Sequence, residues 1–308
     1  MHHIGPPKVS VCVITYNQEK YISKCLQSII EQETNFKYEV IVGDDCSTDE
    51  TRKIINEFHE KYPDIIKPIY QEKNINSGAY NYLTVHQAAK GEYVAHIDGD
   101  DYALSGKLQM QVDMLDSDRD INIVWHRVDY FDDTNNFISG NTSDLSILED
   151  GYVSFDLAAR IGFIGVHSSI MYRRNAREII SLNRKVLDIY LVWDMLSKGK
   201  GYFLNEVLGR YRVGASGSLT IISSKNNALL AIEHAEYFVR LHPNQRKNYF
   251  IWALTTAIIN LKNRKSTSLN FILFCLKHIS LVNPVEIFKN INMMNKIKVK
   301  WAVGNIKR

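Results

Sequence analysis

The chain's absences narrow its function first. No Gly-x-Gly-x-x-Gly follows the first apolar run, and no Gly-x-x-x-x-Gly-Lys-[Ser/Thr] occurs anywhere. A dinucleotide-binding fingerprint and a P-loop phosphate cradle are therefore both unsupported. Four cysteines (Cys12, Cys25, Cys46 and Cys275) make no Cys-x-x-Cys and no metal-site spacing. That usage predicts a reducing compartment, with Cys12 in the core of an apolar run. No apolar stretch reaches the 18 or so uninterrupted residues that a membrane span needs. Met1 to Pro7 lacks the apolar centre of a signal peptide, so a cytoplasmic protein is expected. The sequon Asn141-Thr142-Ser143 carries no weight without a secretory signal.

Strong net charge is also missing, but the value of +3 hides a split. From Lys225 onward the chain holds 14 Lys/Arg and 3 Asp/Glu, whereas residues 1–224 hold 23 and 31. An acidic body with a basic tail suggests chemistry in front and attachment to something anionic behind. A length of 308 residues, with 45% hydrophobic and 23% charged residues, fits one large domain or a domain with an appendage.

The first ninety residues repeat one pattern. Lys8 to Ile14 is a near-continuous β-branched run, as in a parallel strand buried on both faces. The polar cluster Thr15-Tyr16-Asn17-Gln18-Glu19 ends it, and Tyr21, Ile22, Cys25, Leu26, Ile29 and Ile30 then recur at helical spacing. A second strand, Tyr38 to Val42, ends in Gly43-Asp44-Asp45-Cys46-Ser47-Thr48-Asp49; Ser47 or Thr48 is expected to cap the helix Glu50 to Tyr62. A third strand covers Ile66 to Tyr70, and Tyr80 to Lys90 is a helix closed by Gly91. The fourth strand, Tyr93 to Ile97, stops in Asp98-Gly99-Asp100-Asp101, where Gly99 is read as supplying turn freedom.

Strand, polar loop and helix in repetition predict a parallel α/β sheet with right-handed crossovers. Ligands in such sheets sit outside the carboxyl ends of the strands. The Thr15, Asp44-Asp45 and Asp98 to Asp101 clusters all fall there. Any one of them alone reads equally well as a polar surface turn. Three carboxylates within four positions need a compensating cation or good solvation, and a divalent metal carrying a phosphate supplies the first.

On these residues the chain resembles the family 2 glycosyltransferases of the GT-A fold: Val9 to Asn17, Val40 to Asp49, and Ala89-Lys90-Gly91-Glu92-Tyr93 through Asp101. The resemblance runs to about Gly217 and divides the chain into a catalytic domain, 1–217, and a basic helical region, 218–308. It implies a mixed, mainly parallel sheet flanked by helices. It also implies inverting, metal-dependent transfer of a hexose from a nucleotide diphosphate sugar. By resemblance Thr15, Tyr16, Asn17 and Glu19 line the nucleotide pocket together with Gly99, and Asp45 meets the base. Asp98 meets the ribose, and Asp100 binds the Mg²⁺ or Mn²⁺ that bridges the diphosphate.

Further along, Leu108 to Leu115 reads as a helix, Ile121 to His126 as a strand, and Asp132 to Asp150 as a loop over the acceptor. Phe163 to Arg173 reads as a strand carrying His167, a core histidine or an acceptor-side residue. Leu187 to Lys200 resembles the family helix that opens on the general base, which places Asp188 in that role. A helix N-cap explains an Asp there equally well, and Asp194 is the reserve. Gly209-Arg210-Tyr211-Arg212-Val213-Gly214 resembles a Tyr-Arg-x-His element with Gly214 in the histidine's place. Arg210 and Arg212 are the diphosphate candidates.

Ala228 to Leu241 and Asn248 to Leu261 read as amphipathic helices, and Leu269 to Val282 as a strongly apolar one. Basic residues there interleave with Trp252, Phe271, Phe274, Phe288 and Trp301. That mixture favours lying on an anionic membrane surface, the alternative being a helical layer packed on the body with a solvated basic face. No nucleic-acid motif accompanies it. The expectation is a transferase acting on a saccharide acceptor, lipid-linked, at the cytoplasmic face of a bacterial inner membrane. A sugar-nucleotide-binding module without catalysis is the alternative.

Overall fold

A computed structural model describes residues 5–74, 78–132, 137–139, 148, 150–162, 164–178, 180, 185–213 and 224–297. Three βα units and a fourth strand begin it: β1 (Val9–Thr15), α1 (Ile22–Ile30), β2 (Tyr38–Asp44), α2 (Thr51–Lys61), β3 (Ile66–Tyr70), α3 (Gly78–Ala88) and β4 (Tyr93–Asp98). β1 lies between β2 and β4, parallel to both, with Ile14 opposite Gly43 on one side and Asp98 on the other. The three polar clusters are thus neighbours on one rim, as expected of strands whose carboxyl ends share an edge.

Side chains alternate across the sheet with period two. Val9, Val11, Val13, Val40, Val42, Tyr93, Ala95 and Ile97 pack under α1 and α4 (Lys107–Ser117). Cys12, Ile41 and Val94 face the opposite layer, which contains α3. His96 and Asp98 share Val94's parity, so they project toward α3 as well.

The remaining strands make the sheet mixed. β5 (Tyr102–Ala103), β6 (Ile121–Phe131), β7 (Phe137–Ser139), β8 (Tyr152–Val153), β9 (Met171–Arg173) and β10 (Lys200–Arg212) complete ten strands among the described residues, whose main path is β3-β2-β1-β4-β9-β6-β10-β5. β9 is antiparallel to both β4 and β6. β10 runs parallel to β6, and its tip returns Arg210 and Arg212 to the rim beside Tyr102.

Some expectations change. The run read as a strand from Phe163 (itself outside the described residues) is strand only at Met171–Arg173. Gly165 takes φ +71°, and His167–Ser169 form a 3-10 turn closed by Ser169 N–H donating to the Val166 carbonyl at 3.0 Å. Neither Ser47 nor Thr48 caps α2; Glu50 occupies that position, and Ser47 is bonded to Asp44. Gly99 does not take a left-handed φ. Its lack of a side chain serves close approach, because a Cβ would lie 2.5 Å from Gln18 Oε1 and 3.0 Å from Thr15 Cβ. Much of the Asp132–Asp150 loop, Gly214, Gly217 and Trp301 lie outside the described residues.

α5 (Phe155–Ile161) and α6 (Asp188–Leu196) cover the α3 side of the sheet. Four more helices lie over them: α7 (Ser224–Leu241), α8 (Arg246–Lys262), α9 (Ser268–Lys277) and α10 (Pro284–Ile297). α9 stops at Lys277, earlier than the apolar pattern suggested, and after Asn283 a new helix starts on Pro284. One hydrophobic cluster runs from Trp125 through Trp193 to Phe238, Trp252 and Phe274, so these helices share the body's core. Trp193 is the joint. It is fully buried, makes edge contacts to Tyr249 at 4.8 Å and Trp252 at 5.5 Å, and donates through Nε1 to the Ala158 carbonyl at 3.1 Å. Trp193→Ala should cost about 3–5 kcal/mol, read as a fall in the thermal midpoint of roughly 10 °C. A change within a degree or two would show the helical layer to be loosely attached.

Candidate active site

The rim is built from the strand tips inward. Asn17 takes φ +51°, a conformation Asn tolerates. Its N–H donates to Ser47 Oγ at 2.9 Å and its Oδ1 accepts from Thr48 N–H at 2.8 Å. Glu19 Oε2 accepts from Glu50 N–H at 3.0 Å, so this side chain ties the first loop to the start of α2. Tyr16 remains 44% exposed over the rim, while Thr15 is buried and bonded to Gln18 Oε1 at 2.8 Å. Asp45 N–H donates to the Thr15 carbonyl at 3.0 Å, which places Asp45 between the two loops.

The acidic turn is graded in depth. Asp98, with its side chain 28% exposed, sits at the end of β4 and accepts through Oδ1 from His96 Nε2 at 3.0 Å. Asp100 is half-buried at the turn. Asp101 is buried, accepts from Arg212 N–H at 2.7 Å, and takes the Ser168 hydroxyl on its other oxygen. Burial, and then the negative charges of Asp100 and Asp98, push the Asp101 carboxyl far above the usual carboxylate range. Below lies Lys107, buried against His126 Nε2 at 2.8 Å and the Ser168 carbonyl at 3.1 Å; burial lowers its pKa to about 7 despite the Asp101 charge.

Arg212 closes this side. Its guanidinium stacks 3.9 Å from the Tyr21 ring centroid and 4.4 Å from that of Phe131, and Nε donates to the Asp100 carbonyl at 3.2 Å. Arg210 pairs with Asp129 at 3.3 Å.

Asp188 opens α6 on the facing side. Leu187, not Asp188, is the N-cap residue, and no side chain caps this helix. The first-turn position still favours a carboxylate through the helix dipole. The Asp188 side chain is 48% exposed, with Oδ2 3.8 Å from His167 Nδ1. The His167 ring stacks on that of His96 at 4.1 Å. Asp98 and Asp188 therefore flank one pair of histidines. Asp194 is almost fully buried, paired with Lys198 at 2.7 Å and accepting from Glu178 N–H at 2.8 Å, so it is spent on structure.

Sequence reasoning left His96 unassigned, and the missed signal was alternation. Positions 96 and 98 of one strand face the same side, so a histidine two residues before the carboxylate is its neighbour. Ser168 had no signal of its own.

The fit to a divalent cation can be judged from these donors. Asp100 offers hard carboxylate oxygens at an accessible turn, and its charge with that of Asp98 adds to burial in pushing up the Asp101 carboxyl beside it. Mg²⁺ or Mn²⁺ fits such a set. Ligand atoms of His96, Asp98 and His167 also lie within 4.8 Å of one another. That trio fits poorly, because rings stacked at 28° send their in-plane lone pairs side by side rather than to one point.

Comparison with known proteins follows from this geometry. The profile of the family Glycosyl transferase family 2 matches residues 10–179. An uncharacterized protein of Mycobacterium tuberculosis (strain ATCC 25618 / H37Rv) is 35% identical over 212 residues, 68% of this chain and 60% of that protein. The match thus spans less than two thirds of that relative's length. Among solved structures, S. aureus TarS 1-349 in complex with UDP-GlcNAc has a TM-score of 0.64 at 19% identity, over 80% of this chain and 72% of that one. The mannosyltransferase PcManGT from Pyrobaculum calidifontis, in complex with GDP-Man and Mn²⁺, has a TM-score of 0.60 at 17% identity, over 96% and 86%. At these identities the likeness is one of fold.

Proposed function

The chain belongs to glycosyl transferase family 2 and has its GT-A fold, and from that premise we propose an inverting hexosyltransferase that uses a nucleotide diphosphate sugar, a UDP-sugar first. The observation that carries this reading is the placement of Asp98 and Asp188 on either side of the His96–His167 stack. One carboxylate faces the nucleotide rim and the other faces the acceptor side.

In this reading residues 1–217 are the catalytic unit and 218–308 its attachment region. Thr15, Tyr16, Asn17, Glu19, Asp45 and Gly99 form the nucleotide pocket, and Asp98 takes the ribose hydroxyls. Asp100 would hold Mn²⁺ or Mg²⁺, with Arg212 beside it toward the diphosphate. A divalent cation there supplies Lewis-acid stabilisation of the departing diphosphate. Asp188 accepts the proton of the acceptor hydroxyl as its oxygen attacks the anomeric carbon from the side opposite the diphosphate. The bond from the anomeric carbon to the diphosphate oxygen breaks, its electron pair leaves with the diphosphate, and an α-linked donor gives a β-linked product. The two solved relatives in complex with UDP-GlcNAc and with GDP-Man and Mn²⁺ support a nucleotide-sugar donor and a divalent ion. Calorimetric titration of UDP and GDP with Mn²⁺ tests the pocket. UDP binding that is weakened about tenfold or more in Asp98→Ala is expected. Wild type that binds neither nucleotide would refute the reading.

The acceptor proposed is a lipid-linked saccharide of bacterial surface polysaccharide assembly, reached from the cytoplasmic face of the membrane. Support comes from the helical layer. No helix among the described residues is long and apolar enough to cross a bilayer. Yet α9 turns Leu269, Leu273 and Leu276 outward, and Ile279, Leu281 and Phe288 continue the exposed apolar series, Leu281 being 98% exposed. Lys262, Arg264, Lys265 and Lys289 are exposed nearby in sequence, while Glu236 and Glu286 are consumed by Lys277 and Lys247. An apolar series with uncompensated cations suits an anionic lipid surface. Sedimentation with phosphatidylcholine vesicles, with and without phosphatidylglycerol, should show binding only to the anionic ones, reduced about tenfold by Leu276→Asp with Leu281→Asp. Equal binding by wild type and variant would remove the membrane from the proposal.

A further inference from the structure

Behind Asp98 lies a line of buried polar side chains that the transfer reaction does not use directly. His96 Nε2 is 3.0 Å from Asp98 Oδ1, and His96 Nδ1 is 3.0 Å from His86 Nε2. His86 Nδ1 is 2.6 Å from Tyr172 Oη, which accepts from Arg177 Nη1 at 2.7 Å. The line crosses three elements: β4, α3 and the strand β9 with the segment after it. His86, His96 and Tyr172 are buried, and Tyr82 lies against His86 with ring centroids 3.8 Å apart.

With both imidazoles neutral, proton bookkeeping along this line has one solution. An ionised carboxylate only accepts, so His96 Nε2 must carry a hydrogen. A neutral His96 then accepts at Nδ1, which requires a hydrogen on His86 Nε2. His86 in turn accepts at Nδ1 from the Tyr172 hydroxyl, whose oxygen accepts from Arg177. Every link donates toward Asp98. Both rings are neutral in this arrangement, and burial pushes them that way: His96 falls to about 4, with the neighbouring His167 charge adding to burial, and His86 falls well below its ordinary value.

We propose that His96 is a positioning residue for the donor nucleotide: with His86, Tyr172 and Arg177 behind it, it fixes one oxygen of Asp98 by a neutral hydrogen bond and leaves the other to the ribose hydroxyls. Without His96 only the Ser168 hydroxyl would restrain the Asp98 carboxylate against rotation about χ2, and losing that added freedom on binding weakens affinity. A neutral donor orients the carboxylate without cancelling its charge, which a lysine or arginine in the same place would do. The inference rests on the reading of Asp98 as the ribose contact, although the hydrogen-bond line itself does not.

The test has two arms on the full chain. Long-range ¹H–¹⁵N spectra of the imidazoles at neutral pH should assign His86 and His96 the neutral tautomer with hydrogen on Nε2. Titration of UDP with Mn²⁺ should show His96→Leu binding about tenfold more weakly than wild type. His96→Gln, which keeps an N–H near the Nε2 position, should recover most of that loss. In turnover the deficit of His96→Leu should fall on the donor KM rather than on kcat. An Nδ1-hydrogen tautomer or an imidazolium at His96 would overturn the relay. Equal UDP affinity in His96→Leu and wild type, with both folded, would overturn the positioning role. If wild type bound no nucleotide the ribose reading would fail and the positioning role with it, while the tautomers would still decide whether the line exists.

Discussion

Asp188→Asn is expected to lower kcat by about 100- to 10,000-fold, while the affinity for nucleotide sugar stays within about threefold. Asn keeps the shape and hydrogen-bonding capacity of Asp but cannot take a proton. The first turn of α6 has no side-chain cap that depends on Asp188, so the helix should survive the change. His167, 3.8 Å from Asp188, is too poorly placed for a firm hydrogen bond in this state and is not a substitute base by position alone. The split between kcat and nucleotide affinity is the informative part. A loss confined to nucleotide binding would place Asp188 on the donor side, and unchanged turnover would move the base elsewhere. Asp194, paired with Lys198 and the Glu178 N–H, is not available to replace it.

Removal of divalent ions is expected to have the second large effect. EDTA treatment of wild type should depress turnover at least about 100-fold, with recovery on adding Mn²⁺ or Mg²⁺. Asp100→Ala should show a similar loss that added metal does not restore. The electrostatics behind this are on the inner side of the turn. Asp101 is held by Arg212 N–H and Ser168, and its carboxyl is pushed far up first by burial and then by the Asp100 and Asp98 charges. A cation held at Asp100 would offset that repulsion, so metal should also raise the thermal midpoint of wild type and not that of Asp100→Ala. Full turnover in EDTA would rule out a metal at this turn.

The parts legible in the sequence are those whose physics is local. β1, β2 and β4 were readable because strands covered on both faces are continuous apolar runs. Their ends were readable because Thr15, Asp44 and Asp98 interrupt those runs abruptly. Other features depend on contacts between segments far apart. The run before Met171 has the composition of a strand, yet Gly165 turns it, and a Cβ there would stand 2.6 Å from Trp125 Cδ1. β6 and β10 extend past their apolar stretches to Phe131 and Arg212 because each supplies the other's ladder. The hydrogen-bond line behind Asp98 joins His86 to Tyr172, 86 positions apart, and no spacing rule reaches that distance. Three of the helices after 224 were legible as helices and Pro284–Ile297 was not, while tertiary contacts such as those of Trp193 show that this layer completes the body's core.

The most direct measurement is release of nucleoside diphosphate from a panel of UDP- and GDP-sugars, with and without Mn²⁺, each with saccharide and lipid-linked acceptors. The expected result is one preferred donor, consumed only with the divalent ion, its sugar appearing on the acceptor with inverted anomeric configuration. Nucleotide sugars that bind but are never consumed with any acceptor would contradict the transferase and leave a binding module.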